Sequence, residues 1–355
     1  MISGIANNRI NQSNRYKSPA FKCRMVAVFQ KASPNTPEDY GSEDYDMFGR
    51  KNFRKKCFLK KGNGSLLDQL VIQRNQDIDC ESFENTGHDK GWGFITYFNG
   101  KIKNFKKSIK PANRDDEFNP FVERSIENNS DILIGFLRNA RTPKEVTMNN
   151  TQPLVYKNWA MVHQGDAALL SKVYESDKDA QKIYKTTKSN DPKGFQQGNS
   201  DTNHIFKYFL YKLNKNAGTI DSDKVSEDQF IESFSQVITD LKGRGEEKFP
   251  IGNIIITNGK YILAYDEGSK IKLHLGSKKF PAKGEDYVIT NLRLDKKEKD
   301  LDWELIPAAY IYFFKKEKQG GFSLERQIDL ADRLGVLNTI PGVNQRILNP
   351  EALSP

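Results

Sequence analysis

The sequence predicts an α+β protein of two antiparallel sheets with helical layers outside, and three observations carry that prediction. Apolar runs of strand length recur along the chain, and Asn99-Gly100 and Asn258-Gly259 supply tight-turn signals between pairs of them. The helical segments come in two batches and do not alternate with strands, which argues against a doubly wound parallel sheet. The 355 residues, with 22 Phe and 14 Tyr, suffice for a sizeable core and exclude a wholly disordered chain.

Taken in order, residues 1–22 read as a polar leader. The first strand is Arg24 to Gln30, whose run Met25-Val26-Ala27-Val28-Phe29 suits burial on both faces. Lys31 to Gly64 reads as a loop rich in Pro, Gly and charge. A helix from Leu66 to about Asn75 follows, with Ser65 as N-cap. Gly91 to Phe98 and Lys101 to Lys106 form a hairpin around Asn99-Gly100. A helix opens at Asn119 or Pro120 and runs to about Asn128, and Asp131 to Leu137 is a buried strand. Trp159 to His163 is another strand, and Ala167 to Tyr174 reads as helical. Residues 176–200 read as a loop. Thr202 to Asn214 and Ser226 to Lys242 are amphipathic helices, the first with Ile205, Phe206, Phe209, Leu210 and Leu213 at helical spacing. Ile251 to Thr257, Tyr261 to Tyr265 and Ile271 to Leu275 form a meander, which Tyr287 to Thr290 and Ala308 to Phe314 continue. The tail from 316 is expected to hold one helix, from Ser323 to about Leu334.

Composition bounds the function. No stretch approaches the roughly 18 apolar residues of a membrane helix, and residues 1–22 lack the apolar run of a secretory signal, so a cytoplasmic protein is expected. Cys23, Cys57 and Cys80 are too few and too far apart for a disulfide framework or a zinc knuckle. The formal net charge is +9, but only Arg50 to Lys61 forms a basic block, so nucleic acid is not expected as a partner. No phosphate-binding loop, dinucleotide fingerprint or zincin motif occurs, and neither a metal nor an organic cofactor is expected.

Five short segments concentrate chemistry: Cys23-Arg24, His88-Asp89-Lys90-Gly91-Trp92-Gly93, Arg138-Asn139-Ala140-Arg141 with Asn150-Thr151-Gln152-Pro153, His163-Gln164-Gly165-Asp166, and Ser200-Asp201-Thr202. In this order, over about residues 23–315, the chain resembles the class II glutamine amidotransferases, which belong to the N-terminal nucleophile hydrolases. The resemblance is closest to the small stand-alone group that includes the γ-glutamyl amidohydrolase of ergothioneine synthesis, and Gly252-Asn253-Ile254 to Asn258-Gly259-Lys260-Tyr261 also fits. It implies a four-layer αββα sandwich over 23–315, with 1–22 as a leader or propeptide.

The resemblance implies that Cys23, once it heads the mature chain, attacks the side-chain amide of glutamine or a γ-glutamyl compound, passing through a thioester. A free α-amine with a pKa of about 8 would relay the proton. Arg138 would hold the substrate α-carboxylate and Asp201 its α-ammonium, with His163 assigned to the same substrate site. The oxyanion would be met by the Gln164 side-chain amide and the Gly165 N–H. Here the chain departs from the family, which has Asn at the position of Gln164. It also has Gln152 where the family's Asn-Thr-His-Pro motif has His, and Phe136 where many relatives have His. No synthetase domain is expected after 315, so ammonia would be released or passed to a separate partner protein. The alternative is a degenerate, non-catalytic member that binds a ligand or a protein surface.

Overall fold

The structure, a computed structural model, describes residues 23–31, 43–59, 66, 89–140, 143–165, 178, 198, 200–242, 251–268, 273–279, 285–291, 301–318 and 320–333. Among the described residues it is a mixed α/β protein with one large curled sheet of 13 strands and few helices.

The strands are β1 (Arg24–Lys31), β2 (Trp92–Phe98), β3 (Lys101–Ser108), β4 (Ile132–Leu137), β5 (Leu154–Tyr156), β6 (Trp159–Gln164), β7 (Asn253–Thr257) and β8 (Tyr261–Asp266). They continue as β9 (His274–Lys279), β10 (Glu285–Thr290), β11 (Leu301–Leu305), β12 (Tyr310–Lys316) and β13 (Phe322–Asp329). The helices are α1 (Glu43–Phe58), α2 (Phe118–Glu127), α3 (Asp201–Ala217), α4 (Glu227–Lys242) and the short α5 (Leu330–Arg333).

The sheet has two arms. One runs β11-β9-β10-β1-β4-β2-β3 and the other β13-β12-β8-β7-β6-β5. Pairing is antiparallel within each arm, and the arms join at one corner, the parallel bridge of Lys31 to Phe322. Two separate sheets were the expectation; this corner makes them one.

Side-chain alternation sorts each strand between two cores. On β1, Met25, Ala27 and Phe29 enter a central cluster shared with Ile255, Ala264 and Phe314 of the other arm. Val26 and Val28 face outward to Phe53, Phe118 and Val122 of α1 and α2. On β7, Ile255 points into the central cluster, whereas Ile254 and Ile256 meet Phe209, Phe230 and Phe234 of α3 and α4. Trp92 and Trp159 are fully buried, and each indole N–H is satisfied, to Asp115 Oδ2 at 2.9 Å and to the Ile220 carbonyl at 2.9 Å.

The sequence reading needs correction in two places. The stretch read as a loop from Lys31 holds α1, because Phe53, Cys57 and Phe58 form an apolar face that the surrounding basic residues disguise. The described part of the basic block is structural. Lys51 and Lys55 pair with Glu127, and Arg54 is buried in a two-pronged pair with Asp286, at 2.8 and 3.1 Å, while donating to the Ser130 carbonyl. Cys57 lies in the apolar cluster, closed to oxidants.

The second correction is the tail. The helix expected from Ser323 is the strand β13, followed by the short α5. A bulge opposite Phe313 and Phe314 shifts the register, so Phe322 and Leu324 face the central core while Ile328 faces the helices. That flip produces the Leu324-to-Ile328 spacing that mimics a helix. Three strands, the short β5 and β11 and the longer β13, were not anticipated. The leader, most of the helix from Leu66, the helix from Ala167 and most of 176–200 lie outside the described residues.

Candidate active site

The site forms where the starts of β1 and β2 meet the ends of β4 and β6, and sheet register dictates its membership. Arg24 pairs with Leu137 and Met25 with Phe136, and Cys23 and Arg138 are the residues just beyond the outermost pair. Both share the parity of Met25 and Phe136, which face the central core. The guanidinium charge is felt at the thiol, whose S–H reaches the carbonyl of Asn139, the residue after Arg138. On the other arm, Gln164 follows Ala160 and Val162 in facing inward, opposite Asn253 of β7.

Cys23 is half-buried, and its S–H donates to the Asn139 carbonyl at 3.6 Å. Burial pushes the thiol up from its ordinary value, while the Asn139 contact and the Arg138 and Arg24 cations oppose the shift. Arg138 is 6 % exposed, and its Nε and Nη1 are buried with no hydrogen-bond partner among the described residues. Burial pulls its pKa down, and Cys23, Glu145 and Asp201 act against that. A buried guanidinium with idle donors costs stability unless a ligand meets them.

Asp201 opens α3 at its first turn. The N-cap is Ser200, whose Oγ accepts from the Asn203 N–H at 3.3 Å. Asp201 Oδ1 accepts from the Thr202 N–H at 2.7 Å, and its charge acts on both Cys23 and Arg138.

His163 turns to the other side of β6, away from Gln164. Its Nε2 lies 2.6 Å from the Ile251 carbonyl and its Nδ1 3.0 Å from Thr202 Oγ1, so the ring ties β6 to the start of α3. Gly165 sits where a Cβ would be 1.9 Å from the Ile251 carbonyl, so no other residue fits there.

Gln152, where the resemblance leads one to expect His, is a scaffold. Its Oε1 accepts from the His163 N–H at 2.5 Å and its Nε2 donates to the His163 carbonyl at 3.0 Å, as a neighbouring strand would. Gly93 makes room, since a Cβ there would meet the Gln152 carbonyl at 2.0 Å. Phe136 is fully buried in the central cluster.

The structure thus brings Cys23, Arg138, Gln164 and Asp201 to one end of the central core, with Gly165 next to Gln164 and His163 behind it. Two further residues, Asn291 and Lys107, escaped sequence reasoning, and a third, Asn253, entered it only as part of the Gly252-to-Tyr261 segment. Asn291, just after β10, donates from Nδ2 to the Cys23 carbonyl at 2.8 Å and accepts at Oδ1 from the Met25 N–H at 3.2 Å. Asn253 donates to Gln164 Oε1 at 3.2 Å. Lys107 is buried near Arg138, donates to the Thr151 carbonyl at 2.8 Å, and is held down to about 7, by burial first and then by Arg138. A polar residue at the end of an apolar strand was the only sequence signal for Asn291, and Lys107 reads as one more cation of a lysine-rich strand. His88, Arg141 and Asp166 lie outside the described residues.

Among the described residues, no group of three His, Cys, Asp or Glu side chains is placed to hold a metal ion, and no helix is long and apolar enough to cross a membrane.

No protein-family model and no curated protein matches the chain. Solved structures that resemble it are of class II glutamine amidotransferase type. A glutamine aminotransferase class-II domain protein from Silicibacter pomeroyi is 13 % identical with a TM-score of 0.44, over 68 % of this chain and 91 % of that one. A predicted glutamine amidotransferase from Pseudomonas aeruginosa is 15 % identical with a TM-score of 0.40, over 66 % and 88 %. The glutamine phosphoribosylpyrophosphate amidotransferase of B. subtilis is 10 % identical with a TM-score of 0.43; the match takes in 87 % of this chain but only 49 % of that enzyme.

Proposed function

We propose that the chain is an amidohydrolase of the class II glutamine amidotransferase type, with the four-layer αββα arrangement and residues 23–315 as its core. One observation supports this above the others: the buried Arg138 guanidinium, with Nε and Nη1 unpartnered among the described residues, stands beside the Cys23 thiol. A carboxylate would meet those donors side by side, in the two-pronged geometry a guanidinium prefers. Asp201, at the start of α3, would take the α-ammonium, so the pair selects an amino-acid head and leaves the γ-amide to reach Cys23. His163 would serve the substrate site by fixing the Gln164-Gly165 turn.

In this reading residues 1–22 are removed and the Cys23 α-amine accepts the thiol proton. The thiolate adds to the amide carbon, and the oxyanion that forms is met by the Gln164 amide N–H and the Gly165 N–H. The C–N bond breaks, ammonia leaves with the proton from the α-ammonium, and a γ-glutamyl thioester remains. Water then adds, the same amine takes its proton, and glutamate leaves with Cys23 regenerated. L-Glutamine or a γ-glutamyl amide is the substrate, and ammonia is released or handed to a partner protein in the cytoplasm.

Burial of Cys23 favours a second reading, a binding module, for as long as residues 1–22 stay attached. The thiol pKa is then raised and no α-amine is present to draw off its proton. Intact mass and ammonia release with Cys23→Ala as control separate the two. A mature chain beginning at Cys23 that releases ammonia, with none from the variant, supports the enzyme. Equal release from both, or an uncleaved and inactive chain, sinks it.

A further inference from the structure

The amide carrying the oxyanion role above is itself held by two other amides. Gln164 is 3 % exposed, and its Oε1 accepts from Asn291 Nδ2 at 2.9 Å and from Asn253 Nδ2 at 3.2 Å. A carboxamide oxygen has two lone pairs, and here both are engaged. The Gln164 amide is therefore fixed in one of its two flipped states, with its NH2 group turned away from both asparagines. No described residue accepts from that NH2 group. Asn291 meanwhile spans the first peptides of β1, bonding the Cys23 carbonyl and the Met25 N–H. One side chain thus sets the position of the thiol-bearing residue and the orientation of the amide facing it. Asn253 supplies the second donor from the adjacent strand, where it is the register partner of Gln164.

We propose that Asn291 and Asn253 are positioning residues that lock the Gln164 amide with its N–H groups toward the space in front of Cys23. The lock compensates the extra methylene of Gln164, which would otherwise leave the amide free to rotate, and it acts on the transition state more than on substrate affinity. The claim rests on the amidohydrolase reading for its kinetic consequence but not for its structural one.

The test uses the full chain and the variant Asn291→Asp, which keeps the shape and can still accept from Met25 but cannot donate to Gln164. With L-glutamine, kcat is expected to fall about 100-fold, the scale of a lost oxyanion donor, with KM within about threefold. Alkylation of Cys23 by iodoacetamide, which needs no oriented amide, should stay within about threefold. The side-chain 15N–1H pair of Gln164, assigned by its loss in Gln164→Met, should shift. An unmoved pair or an unchanged kcat overturns the proposal, as does a loss of alkylation equal to the loss of kcat, which would mean that Asn291 holds Cys23 and not the amide. If the parent releases no ammonia from glutamine, the amidohydrolase reading fails, and the Gln164 resonances still decide the positioning. Should Asn291→Asp not fold, Asn253→Ala removes the other donor without touching β1, and about a tenfold loss in kcat with the same resonance shift is expected; no change in either overturns it.

Discussion

The central core ends in opposite ways at its two rims. At the rim where the β2–β3 and β7–β8 turns meet, Asn158 Nδ2 donates to the Gly100 and Asn258 carbonyls, both at 2.6 Å, and its Oδ1 accepts from the Ile102 N–H at 3.1 Å. Tyr97 Oη donates to the Asn158 carbonyl at 3.1 Å, so the two arms are bolted together. At the other rim Arg138 keeps buried donors idle and Cys23 is half-buried. The bolted rim has an idle donor of its own, Asn258 Nδ2, but its four bonds around Asn158 hold the arms in register, and that lets the other rim carry unsatisfied groups at a cost the fold can bear. On this view stability and the proposed activity are drawn from different ends of the same curled sheet, and substitutions should separate them.

The largest effect is expected at the bolted rim. Asn158→Ala leaves two carbonyls and one N–H without their partner and should lower stability by about 3 kcal/mol in denaturant unfolding, with kcat of the remaining folded protein unchanged. Arg138→Met should do the reverse. KM for glutamine is expected to rise about 100-fold, the weight of a charge-assisted pair, while the melting temperature holds or increases because a costly buried cation is gone. A fall in melting temperature would mean that Arg138 is structural and the contrast false.

Gly259→Ala tests the bolted rim more gently. The residue has φ +82, and a Cβ would stand 2.5 Å from the Gly100 carbonyl, so a loss of about 2 kcal/mol is expected, without effect on KM. The smallest effect concerns Lys107, whose pKa is held at about 7 against an ordinary 10.5. Below 7 the lysine is charged in both states, and the fold bears the whole cost of burying it. Between 7 and 10.5 the unfolded chain keeps the proton and the folded protein does not, so stability rises with pH and the cost fades. Lys107→Met should therefore gain on the parent in melting temperature more at pH 6 than at pH 9; the opposite trend would show that the ammonium is well paired.

Much of this was legible in the sequence where one strand answers to one core. The doubly buried β1, the hairpin at Asn99-Gly100 and helices α3 and α4 follow from local pattern, and the Asn99-Gly100 turn takes positive φ at both residues as that dipeptide predicts. The approach of Cys23, Arg138, Gln164 and Asp201 was legible only as motif order. Where a residue answers to a distant partner the sequence is mute. Arg54 reads as one more surface cation because Asp286 lies 232 positions away. Asn291 ends a strand like many asparagines, and its task is visible only once β10 lies beside β1. At β13 a single bulge residue was enough to turn a strand pattern into an apparent helix.

Three braces around Cys23 share one chemical property. Asn291, Asn253 and Gln152 hold the start of β1, the Gln164 amide and the end of β6 through carboxamides, groups that neither gain nor lose a proton between acid and alkali. This part of the framework is blind to acidity, so a pH profile of turnover would not be distorted by titration of the braces. On the proposed amidohydrolase reading, the profile would report the Cys23 thiol and its α-amine, with Lys107, held at about 7, as the titrating neighbour.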